Sequence, residues 1–526
     1  MSPSELHLSR PAPGGRVQIG RRLGDLVREI PGAVLVRGDA ERLVTGVHHD
    51  SRRVSQGDLF VARGGARTHG AQFVADAIGK GAVAVLVERG ADVDTQGVAR
   101  IEVPGVPCAL AYASAAVYGH PTFSLEVVGV TGTNGKTTTT HLIQACVNAS
   151  GGRAGIVGTL GYRFEDLDLP STHTSPEADE LARIGAAMRA RGATHLVMEV
   201  SSIALAACRV EAVRFRVAAF LNLTQDHLDY HGSMEAYAEA KARLFTDLAP
   251  GAAAINVDDP FGKELVRRLA PEGGPAAATL ARFSTRPEAT AEEADVAPLS
   301  VRHTPAGISL RVRTPAGELS IESPLVGAHN VQNLMCAIAS SYLLEIDLEA
   351  AARALSGPTR VPGRLDRCDD PAADDVVVLV DYAHTPDALV RVLESVRALG
   401  QGRIVCVFGC GGDRDPKKRP LMGEAVGRGA DVAIVTNDNP RSEDPRAIAD
   451  AILPGLEGGK AEVVVELDRA RAIERAVLEA RPGDVVLIAG KGHETYQIIG
   501  GVTLPFDDRE QAQKALVLRR SRRGGT

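Results

Sequence analysis

The stretch LEVVGVTGTNGKTTTT (125–140) decides the fold of this chain. It opens with a nearly continuous apolar run of strand length, which meets a glycine-rich turn and then a helix-compatible segment. A strand, a glycine-rich turn and a helix in that order are the setting of a phosphate-binding loop. The sequence therefore predicts an α/β domain that binds a nucleotide at this turn.

The residue types in the turn suit a triphosphate. Its glycines let backbone N–H groups approach phosphate oxygens, its lysine can reach the β- and γ-phosphates, and the Thr137 hydroxyl suits Mg²⁺. An ordinary glycine-rich turn is the alternative, because Val130 stands where the common loop has glycine. The lysine and threonine at the helix start favour phosphate. We expect an ATP site containing Gly132, Thr133, Asn134, Gly135, Lys136, Thr137 and Thr138.

Further buried-strand runs follow along the chain. Two lie at 195–200 and 217–223, and four more lie at 376–380, 403–409, 432–436 and 485–490. Short apolar runs that alternate with helical patterns indicate parallel sheets covered on both faces. Each of the last four runs ends in a polar cluster: DYAH, GCGGDRD, NDNPR or GKGHE. Ligands bind beyond the carboxyl ends of such strands, so we expect these clusters around one crevice.

The length of 526 residues suggests about three domains. Two proline-containing breaks, YGHPTFS (118–124) and SGPTRVPGR (356–364), supply the boundaries. We therefore predict a flexible N-terminus (1–20), a small α/β domain (21–121), a central phosphate-loop domain with a parallel sheet (122–358) and a C-terminal Rossmann-like domain (359–526).

Composition excludes several classes of protein. No apolar stretch approaches the roughly 18 residues of a membrane span, and a net charge of −7 argues against a nucleic-acid binder. The seven scattered cysteines, some with apolar neighbours, predict buried free thiols and a reducing cytoplasm. The first residues show no secretory signal, and the tail RRSRRGGT is predicted to be a solvated basic end.

Three residues are candidates for a charged site near the phosphates. Glu199 ends a strand and offers hard oxygen ligands for Mg²⁺, and His227 follows the end of another strand. Lys241 lies in a helix-like segment, where it could neutralise phosphate, take up CO₂ as a carbamate, or simply be a solvated surface lysine. Spacing alone does not choose among these possibilities.

The motifs taken together resemble the Mur ligase family, from about residue 45 to about residue 500. Within that family they are closest to the members that add the third residue to the peptidoglycan precursor peptide. The motifs that carry the resemblance occur in order: GVTGTNGKTT (129–138), MEVSS (198–202), NLTQDHLDYHG (222–232), AEAKARLF (238–245), HNVQN (329–333), PGRLD (362–366), DYAHTPD (381–387), GCGGDRD (409–415), NDNPRSEDP (437–445) and GKGHE (490–494).

The resemblance implies a cytoplasmic, monomeric ligase of cell-wall synthesis, with no nucleic-acid or membrane partner. Its domains would hold a UDP-sugar, ATP and an amino acid in turn. It would use ATP and Mg²⁺ to add meso-2,6-diaminopimelate to UDP-MurNAc-L-Ala-D-Glu through an acyl phosphate. The alternatives are the same chemistry with L-lysine or another amino acid, and an inactive relative that only binds the nucleotide.

The resemblance also implies roles for residues of the ATP and metal site. Thr137, Glu199 and His227 match Mg²⁺ ligands, and Lys241 matches a carbamylated lysine. Further nucleotide contacts fall at Asn330, Asn333, Arg364, Asp381 and His384. A helix cap is the alternative for Asn333.

The substrate positions follow in the same way. Ser51, Thr174, Ser175, Ser201 and Arg209 match the UDP-substrate site, and the amino-acid site matches Arg414, Asp438, Asn439, Pro440, Arg441, Gly490 and Glu494. Charge supports diaminopimelate, whose far end carries a carboxylate for an arginine to bind. The alternative is that DNPR (438–441) is a structural turn. The chain departs from the family in reading SSIAL (201–205), with Ile203 and Ala204, where SSHGL is common, and in having Ala207 where glutamine is common.

Overall fold

A computed structural model of the chain describes residues 20–64, 70–270, 278–304, 307–357, 360–400 and 402–524. The predicted flexible N-terminus lies outside this part of the chain, apart from Gly20. Internal contacts divide the chain into two compact units: Met1–Ala297, Arg313–Gly317 and Asn333–Ala352 form the first, and Pro298–Val312, Glu318–Gln332 and Arg353–Thr526 form the second. The finer division into three domains stays a prediction.

The first sheet has five strands in the order β2-β7-β6-β5-β4, of which β4 to β7 run parallel. A short pair, β1 with β3, lies apart from it. The elements are β1 (Arg21–Arg22), α1 (Leu23–Glu29), β2 (Val34–Arg37), β3 (Leu43–Val44), β4 (Gly46–His48), β5 (Asp58–Val61), α2 (Val74–Gly79), β6 (Ala84–Glu88), β7 (Ala99–Val103) and α3 (Val106–Val117).

The central sheet has eight strands in the order β11-β10-β9-β12-β8-β13-β14-β15, and six of them, β9 to β15 along this order, are parallel. Its elements are β8 (Glu126–Thr131), α4 (Lys136–Ala149), β9 (Ala154–Gly158), β10 (Gly161–Phe164), β11 (Leu167–Leu169), α5 (Ala178–Ala190), β12 (His195–Glu199), α6 (Ser202–Ala206), β13 (Phe215–Phe220), α7 (Leu228–His231), α8 (Met234–Thr246), β14 (Ala252–Asn256), α9 (Pro260–Leu269) and β15 (Thr279–Phe283).

A three-stranded sheet and two helices follow the central sheet in the chain. They are β16 (Ala297–Thr304), β17 (Gly307–Thr314), β18 (Gly317–Ser323), α10 (His329–Leu343) and α11 (Leu348–Ser356).

The last sheet has six strands in the order β19-β20-β24-β21-β22-β23, all parallel except the edge strand β19. A hairpin of β25 and β26 accompanies it. The elements are β19 (Asp366–Arg367), β20 (Val377–Asp381), α12 (Pro386–Arg397), β21 (Ile404–Phe408), α13 (Lys418–Gly429), β22 (Val432–Val435), α14 (Pro445–Leu456), β23 (Glu462–Val465), α15 (Arg469–Glu479), β24 (Val485–Ala489), β25 (Tyr496–Ile499), β26 (Val502–Pro505) and α16 (Asp508–Gly524).

The parallel strands are apolar along their length because both faces of their sheets are covered. In the last sheet, for example, Leu379 and Leu487 join one buried cluster, whereas Val378 and Val486 join another on the opposite face. The predicted α/β class with parallel sheets is confirmed. A 3₁₀ turn (Gly70–Phe73) precedes α2.

The cysteine prediction was wrong for one pair. Cys108 in α3 and Cys208 beyond α6 form a disulfide, although they lie 100 positions apart in sequence. Packing of α3 brings their Cα atoms to 5.0 Å, a proximity that neighbouring residues cannot reveal. The remaining cysteines are buried and free, as predicted: Cys146, Cys336, Cys368, Cys406 and Cys410.

The basic tail is exposed from Arg520 to Arg523, as predicted, but the prediction is wrong for Arg519. Most of the tail continues α16, and Arg519 is buried, where it binds the carboxylate of Asp375 and the carbonyl groups of Val477 and Ala480. These acceptors compensate the burial of the guanidinium, so the charge is structural at this position. In the described part of the chain, no helix combines the length and apolarity that a membrane crossing requires.

Gly262 tests how closely α9 packs on the central sheet. A Cβ atom at this position would lie 1.8 Å from the carbonyl oxygen of Asn256 at the end of β14. We expect Gly262→Ala to lower the free energy of unfolding by about 1–3 kcal/mol, because helix and strand must separate. Urea unfolding followed by circular dichroism measures this change.

Gly79→Ala is the matched control, since a Cβ atom at this helical position meets nothing within 4 Å. We expect its unfolding midpoint to equal or exceed that of the unchanged chain. Equal midpoints for both variants would contradict the close packing of α9.

Candidate active site

The phosphate loop lies at the carboxyl end of β8, near the middle of the central sheet. Lys136 and Thr137 begin α4, so both lie at the positive end of a helix. The Nζ atom of Lys136 donates to the carbonyl oxygens of Gly132 and Thr133, at 2.8 and 2.9 Å. The lysine thus folds back over the loop that would surround a phosphate.

Position 135 requires glycine for two reasons: its left-handed backbone conformation and the lack of space for a Cβ atom. Its φ is +87°, and a Cβ atom would lie 2.3 Å from Oδ1 of Asn333. Asn333 is 1% exposed inside α10 and accepts from the Thr139 hydroxyl at 3.2 Å. The predicted nucleotide residue Asn333 therefore packs directly against the loop and does not cap a helix.

Glu199 lies beside the loop because β12 pairs with β8, with Glu199 opposite Val130. Its carboxylate is 1% exposed. Oε1 accepts from the Thr137 hydroxyl at 3.0 Å and from the Thr159 backbone N–H at 2.7 Å, while Oε2 faces the Thr159 hydroxyl at 3.3 Å. These donors satisfy both oxygens of the buried carboxylate.

Lys241 is not a solvated surface lysine. It is 1% exposed in α8, and its Nζ donates to the Gly132 carbonyl at 3.0 Å, which brings it to the phosphate loop. Burial lowers the pKa of its amine well below 10.5, and the charge of Lys136 lowers it further. A neutral, nucleophilic amine is therefore accessible at lower pH than for a free lysine.

Tyr237 connects the remaining members of this cluster, although the sequence patterns did not single it out. Its hydroxyl lies 3.2 Å from the Thr133 hydroxyl, the Nζ of Lys241 lies 4.5 Å from its ring centroid, and its centroid lies 6.2 Å from that of His227. His227 has φ +53° and stands before α7, with its side chain 44% exposed. No hydrogen bond or ion pair among the described residues joins His227 to Glu199.

The loop that contains the predicted UDP-substrate residues Thr174 and Ser175 continues the hydrogen-bond chain from Glu199. The Thr174 hydroxyl lies 3.2 Å from that of Thr159. Ser175 is fully buried, donates to the Glu199 carbonyl at 2.9 Å and accepts from the Ser201 backbone N–H at 3.0 Å. Arg209 donates to the Ser175 carbonyl at 3.0 Å. Four predicted substrate residues thus meet within one network.

A line of ion pairs, which no local sequence pattern reveals, joins this loop region to the N-terminal sheet. His49 Nδ1 lies 3.0 Å from the buried carboxylate of Asp179, and Glu177 pairs with both Arg63 and Arg209. Burial lowers the pKa of His49, but the hydrogen bond and charge of Asp179, together with the charge of Glu177, outweigh burial and raise this pKa above its usual value. Ser51 lies close by in sequence, is buried and begins a 3₁₀ turn.

The strand order of the last sheet places four predicted motifs side by side. Asp381 ends β20 opposite Ala489 of β24, and β21 and β22 follow as the next neighbours. The Asp381 carboxylate accepts from the backbone N–H groups of Leu365 and Ala383, at 2.7 and 2.8 Å. Burial raises its pKa above the usual range.

The neighbouring predicted nucleotide residues are also ordered by local contacts. The guanidinium of Arg364 lies 5.1 Å from the ring centroid of Tyr382, whose ring also contacts His384. His384 Nδ1 lies 2.8 Å from the Tyr382 carbonyl oxygen. Asn330 is 2% exposed and donates to the Val326 carbonyl at 2.7 Å.

The predicted amino-acid residues gather beyond β22 and β24. Asp438, Asn439 and Pro440 are buried, and the Asn439 amide donates to Oε2 of Glu494 at 2.9 Å. Arg441 has φ +54° and donates to the Gly412 carbonyl at 2.7 Å. Gly490 directly follows β24, and Arg414 is exposed in the loop after β21.

One buried cation in this cluster was missed. Lys491 contacts Asn439 and Glu494 through Nζ, at 3.2 Å in both cases. The position of Lys491 in GKGHE, directly beyond an apolar strand, indicates that it lies near the site, but the sequence does not reveal that it is fully buried. Tyr237 and Thr159 gave no comparable signal.

Family models cover most of the chain. A Mur ligase middle-domain model matches residues 130–341, a model for the Mur ligase glutamate ligase domain matches residues 363–492, and a Mur ligase family catalytic-domain model matches residues 43–118. The phosphate loop, Glu199 and Lys241 fall in the first of these segments.

Two curated relatives carry the name UDP-N-acetylmuramoyl-L-alanyl-D-glutamate–2,6-diaminopimelate ligase. The protein from Gloeobacter violaceus is 46% identical over 480 residues, covering 91% of this chain and 95% of its own length. The one from Geobacter metallireducens is 44% identical over 516 residues, covering 94% and 98%.

A solved structure with the same ligase name agrees with this result. It aligns with a TM-score of 0.68 and 32% identity, covering 95% of this chain and 99% of that one. Three observations lead to one conclusion: sequence identity above 40% over nine-tenths of the chain, three matching family models and the shared fold. The chain belongs to the Mur ligase family.

Proposed function

We infer that this chain is an ATP-dependent ligase that joins meso-2,6-diaminopimelate to UDP-MurNAc-L-Ala-D-Glu in peptidoglycan precursor synthesis. The D-glutamate carboxylate attacks the γ-phosphorus of ATP, and ADP leaves with the electron pair of the broken P–O bond. The amine of the incoming amino acid then attacks the acyl phosphate. Amide formation releases inorganic phosphate and the amine proton.

The observation that carries this proposal is the hydrogen-bond chain from Thr137 through Glu199 and Thr159 to Thr174. It joins the phosphate loop to the loop assigned to the sugar-peptide substrate. Phosphoryl transfer needs mainly alignment and charge neutralisation, so the two reactants must be held at adjacent sites. The relatives and the solved structure with this ligase name support the same reaction.

Lys136 and the start of α4 supply positive charge for the phosphates. The lysine now donates to loop carbonyls, and it would exchange these weak partners for charged phosphate oxygens, which form stronger bonds. No enzyme nucleophile is needed, because the phosphate group itself turns the carboxylate into a good acyl donor.

The residues near the loop fit Mg²⁺. Glu199 and Thr137 offer hard oxygen atoms that already meet at 3.0 Å, and a carbamate on Lys241 would add another anionic oxygen ligand. His227 would be the remaining ligand by resemblance to the family, and its ring lies near Tyr237 rather than against Glu199. Bound there, Mg²⁺ would neutralise charge on the transferring phosphate.

The far end of diaminopimelate carries both an ammonium group and a carboxylate. Asp438 and Glu494 are acceptors for the ammonium group, and Arg441 and Arg414 are donors for the carboxylate. Lysine lacks that carboxylate. The charges around DNPR therefore favour diaminopimelate.

We place the enzyme in the cytoplasm as a monomer. The five buried free cysteines favour a reducing compartment, whereas the Cys108–Cys208 disulfide is typical of an oxidising one. The nucleotide-linked substrate supports the same location.

Phosphate release tests the proposed function directly. The full chain is mixed with ATP, Mg²⁺ and UDP-MurNAc-L-Ala-D-Glu, and then with meso-diaminopimelate or L-lysine. We expect rapid release of phosphate when meso-diaminopimelate is the amino acid, and not when L-lysine is. Preference for lysine would change the substrate assignment, and nucleotide binding without turnover would overturn the assignment as a ligase.

Arg441 provides the first prediction about specificity. We expect Arg441→Ala to reduce kcat/KM for meso-diaminopimelate at least tenfold, since a charge-assisted hydrogen bond contributes about 1.5–3 kcal/mol. Arg446→Ala is the control, because Arg446 is an exposed arginine of α14 that pairs with Asp450. Unchanged kinetics for Arg441→Ala would refute its role.

Lys241 provides the second prediction. Its neutral amine attacks CO₂, a C–N bond forms, and a proton is released as the carbamate appears. We expect ¹³C-bicarbonate to give a carbamate ¹³C NMR signal that Lys241→Arg abolishes, together with at least a hundredfold loss of turnover. Because burial lowers the pKa of this amine, the signal should persist to lower pH than that of free lysine.

The control for Lys241 is Lys263→Arg, since Lys263 is an exposed lysine of α9. It should leave both signal and turnover unchanged. Full turnover of Lys241→Arg, or a signal that survives this substitution, would exclude the carbamate at Lys241.

A further inference from the structure

Lys491 is a fully buried cation to which the proposed reaction assigns no task. It stands directly after Gly490 beyond β24, and its side chain is 0% exposed. Moving an ammonium group out of water is costly unless its partners compensate the loss. The partners of Lys491 therefore indicate why a lysine occupies this position.

Those partners are residues of the proposed amino-acid site. The Nζ atom lies 3.2 Å from Oδ1 of Asn439 and 3.2 Å from Oε2 of Glu494. Oδ1 of Asp438 is farther away, at 3.9 Å. All three belong to the DNPR and GKGHE motifs.

Lys491 fixes the orientation of two of these side chains. Oδ1 of Asn439 accepts from Lys491 and from the Ile498 backbone N–H at 3.0 Å, so its amide nitrogen is directed to Glu494 at 2.9 Å. Both Lys491 and Asn439 use Oε2 of Glu494. A carboxylate accepts through both oxygens, so Oε1 is the oxygen assigned to a bound ammonium group.

Lys491 also sets the charge of the site. Asp438 and Glu494 contribute two negative charges, and Lys491 offsets one of them. The nearby Arg469 is neutralised by its own buried partner, Asp508, at 2.6 Å. Among these residues one net negative charge remains for a single ammonium group, while Arg441 and Arg414 are assigned to the carboxylate.

We propose that Lys491 is a positioning residue that determines amino-acid specificity. Its ammonium group orients Asn439 and Glu494, and it limits the negative charge of the site. That limit favours the zwitterionic far end of meso-diaminopimelate over the net positive far end of L-lysine. The proposal rests on the proposed function, because it assigns a role within the same amino-acid site.

Lys491→Met tests the proposal, since methionine keeps much of the length and removes the charge. We expect the KM for meso-diaminopimelate to rise at least tenfold, while the KM for ATP changes less than twofold. The ratio of kcat/KM for diaminopimelate to kcat/KM for lysine should fall at least fivefold, and Lys491→Arg should restore part of it. A residue with only a structural role would not change this ratio.

The control is Lys460→Met, because Lys460 is exposed and pairs with Asp431. It should leave every constant unchanged. If Lys491→Met does not fold, Lys491→Gln, which keeps hydrogen-bonding capacity without charge, is measured in the same way. An unchanged specificity ratio, or equal rises in the KM for ATP and for diaminopimelate, would overturn the proposal.

Turnover of the unchanged chain separates this proposal from the proposed function. Release of phosphate with diaminopimelate establishes the reaction, and the variants then test Lys491 alone. Absence of turnover in the unchanged chain would overturn both proposals.

Discussion

The hydrogen bond between Thr137 and Glu199 is the interaction on which the candidate site depends. It exists because β8 and β12 are parallel neighbours, with Val130 opposite Glu199. A shift of one residue along β12 would turn Glu199 to the other face of the sheet. The apolar side chains between the strands and their covering helices hold this register, and the site thus depends on the core beneath it.

The second unit also places charged side chains at the ends of neighbouring parallel strands. Adjacent parallel strands end in loops that carry charged side chains, and these loops are buried enough for ion pairs to matter. Lys491 is fully buried, and the side chains of Asp438 and Glu494 are only 10% and 19% exposed. Their mutual arrangement is therefore strongly constrained by hydrogen bonds, whereas exposed ion pairs contribute little.

Much of this architecture could be predicted from sequence for a simple physical reason. Strands covered on both faces must be apolar throughout, so runs such as VVLIAG (485–490) stand out without any structural information. The phosphate loop is equally easy to recognise in the sequence, because phosphate binding requires its glycines and its lysine within a few consecutive residues. In each parallel sheet, polar residues at the carboxyl ends of the strands lie along one edge. This rule predicts the position of Glu199 in the central sheet and that of Asp438 in the last sheet.

What sequence could not predict depends on contacts between distant segments. Local pattern treats Lys241 as a typical helix-surface lysine, yet packing of α8 buries it. The Cys108–Cys208 pair and the burial of Arg519 arise in the same way. Tyr237 looks like an ordinary helix aromatic, and only the fold shows that it touches the phosphate loop.

The contact between Gly135 and Asn333 has an evolutionary consequence. These positions are far apart in the chain, but there is no room for a methyl group between them. Any lineage that enlarges position 135 must first shorten position 333, and the left-handed backbone of the turn opposes even that route. Across related sequences, positions 135 and 333 should therefore covary.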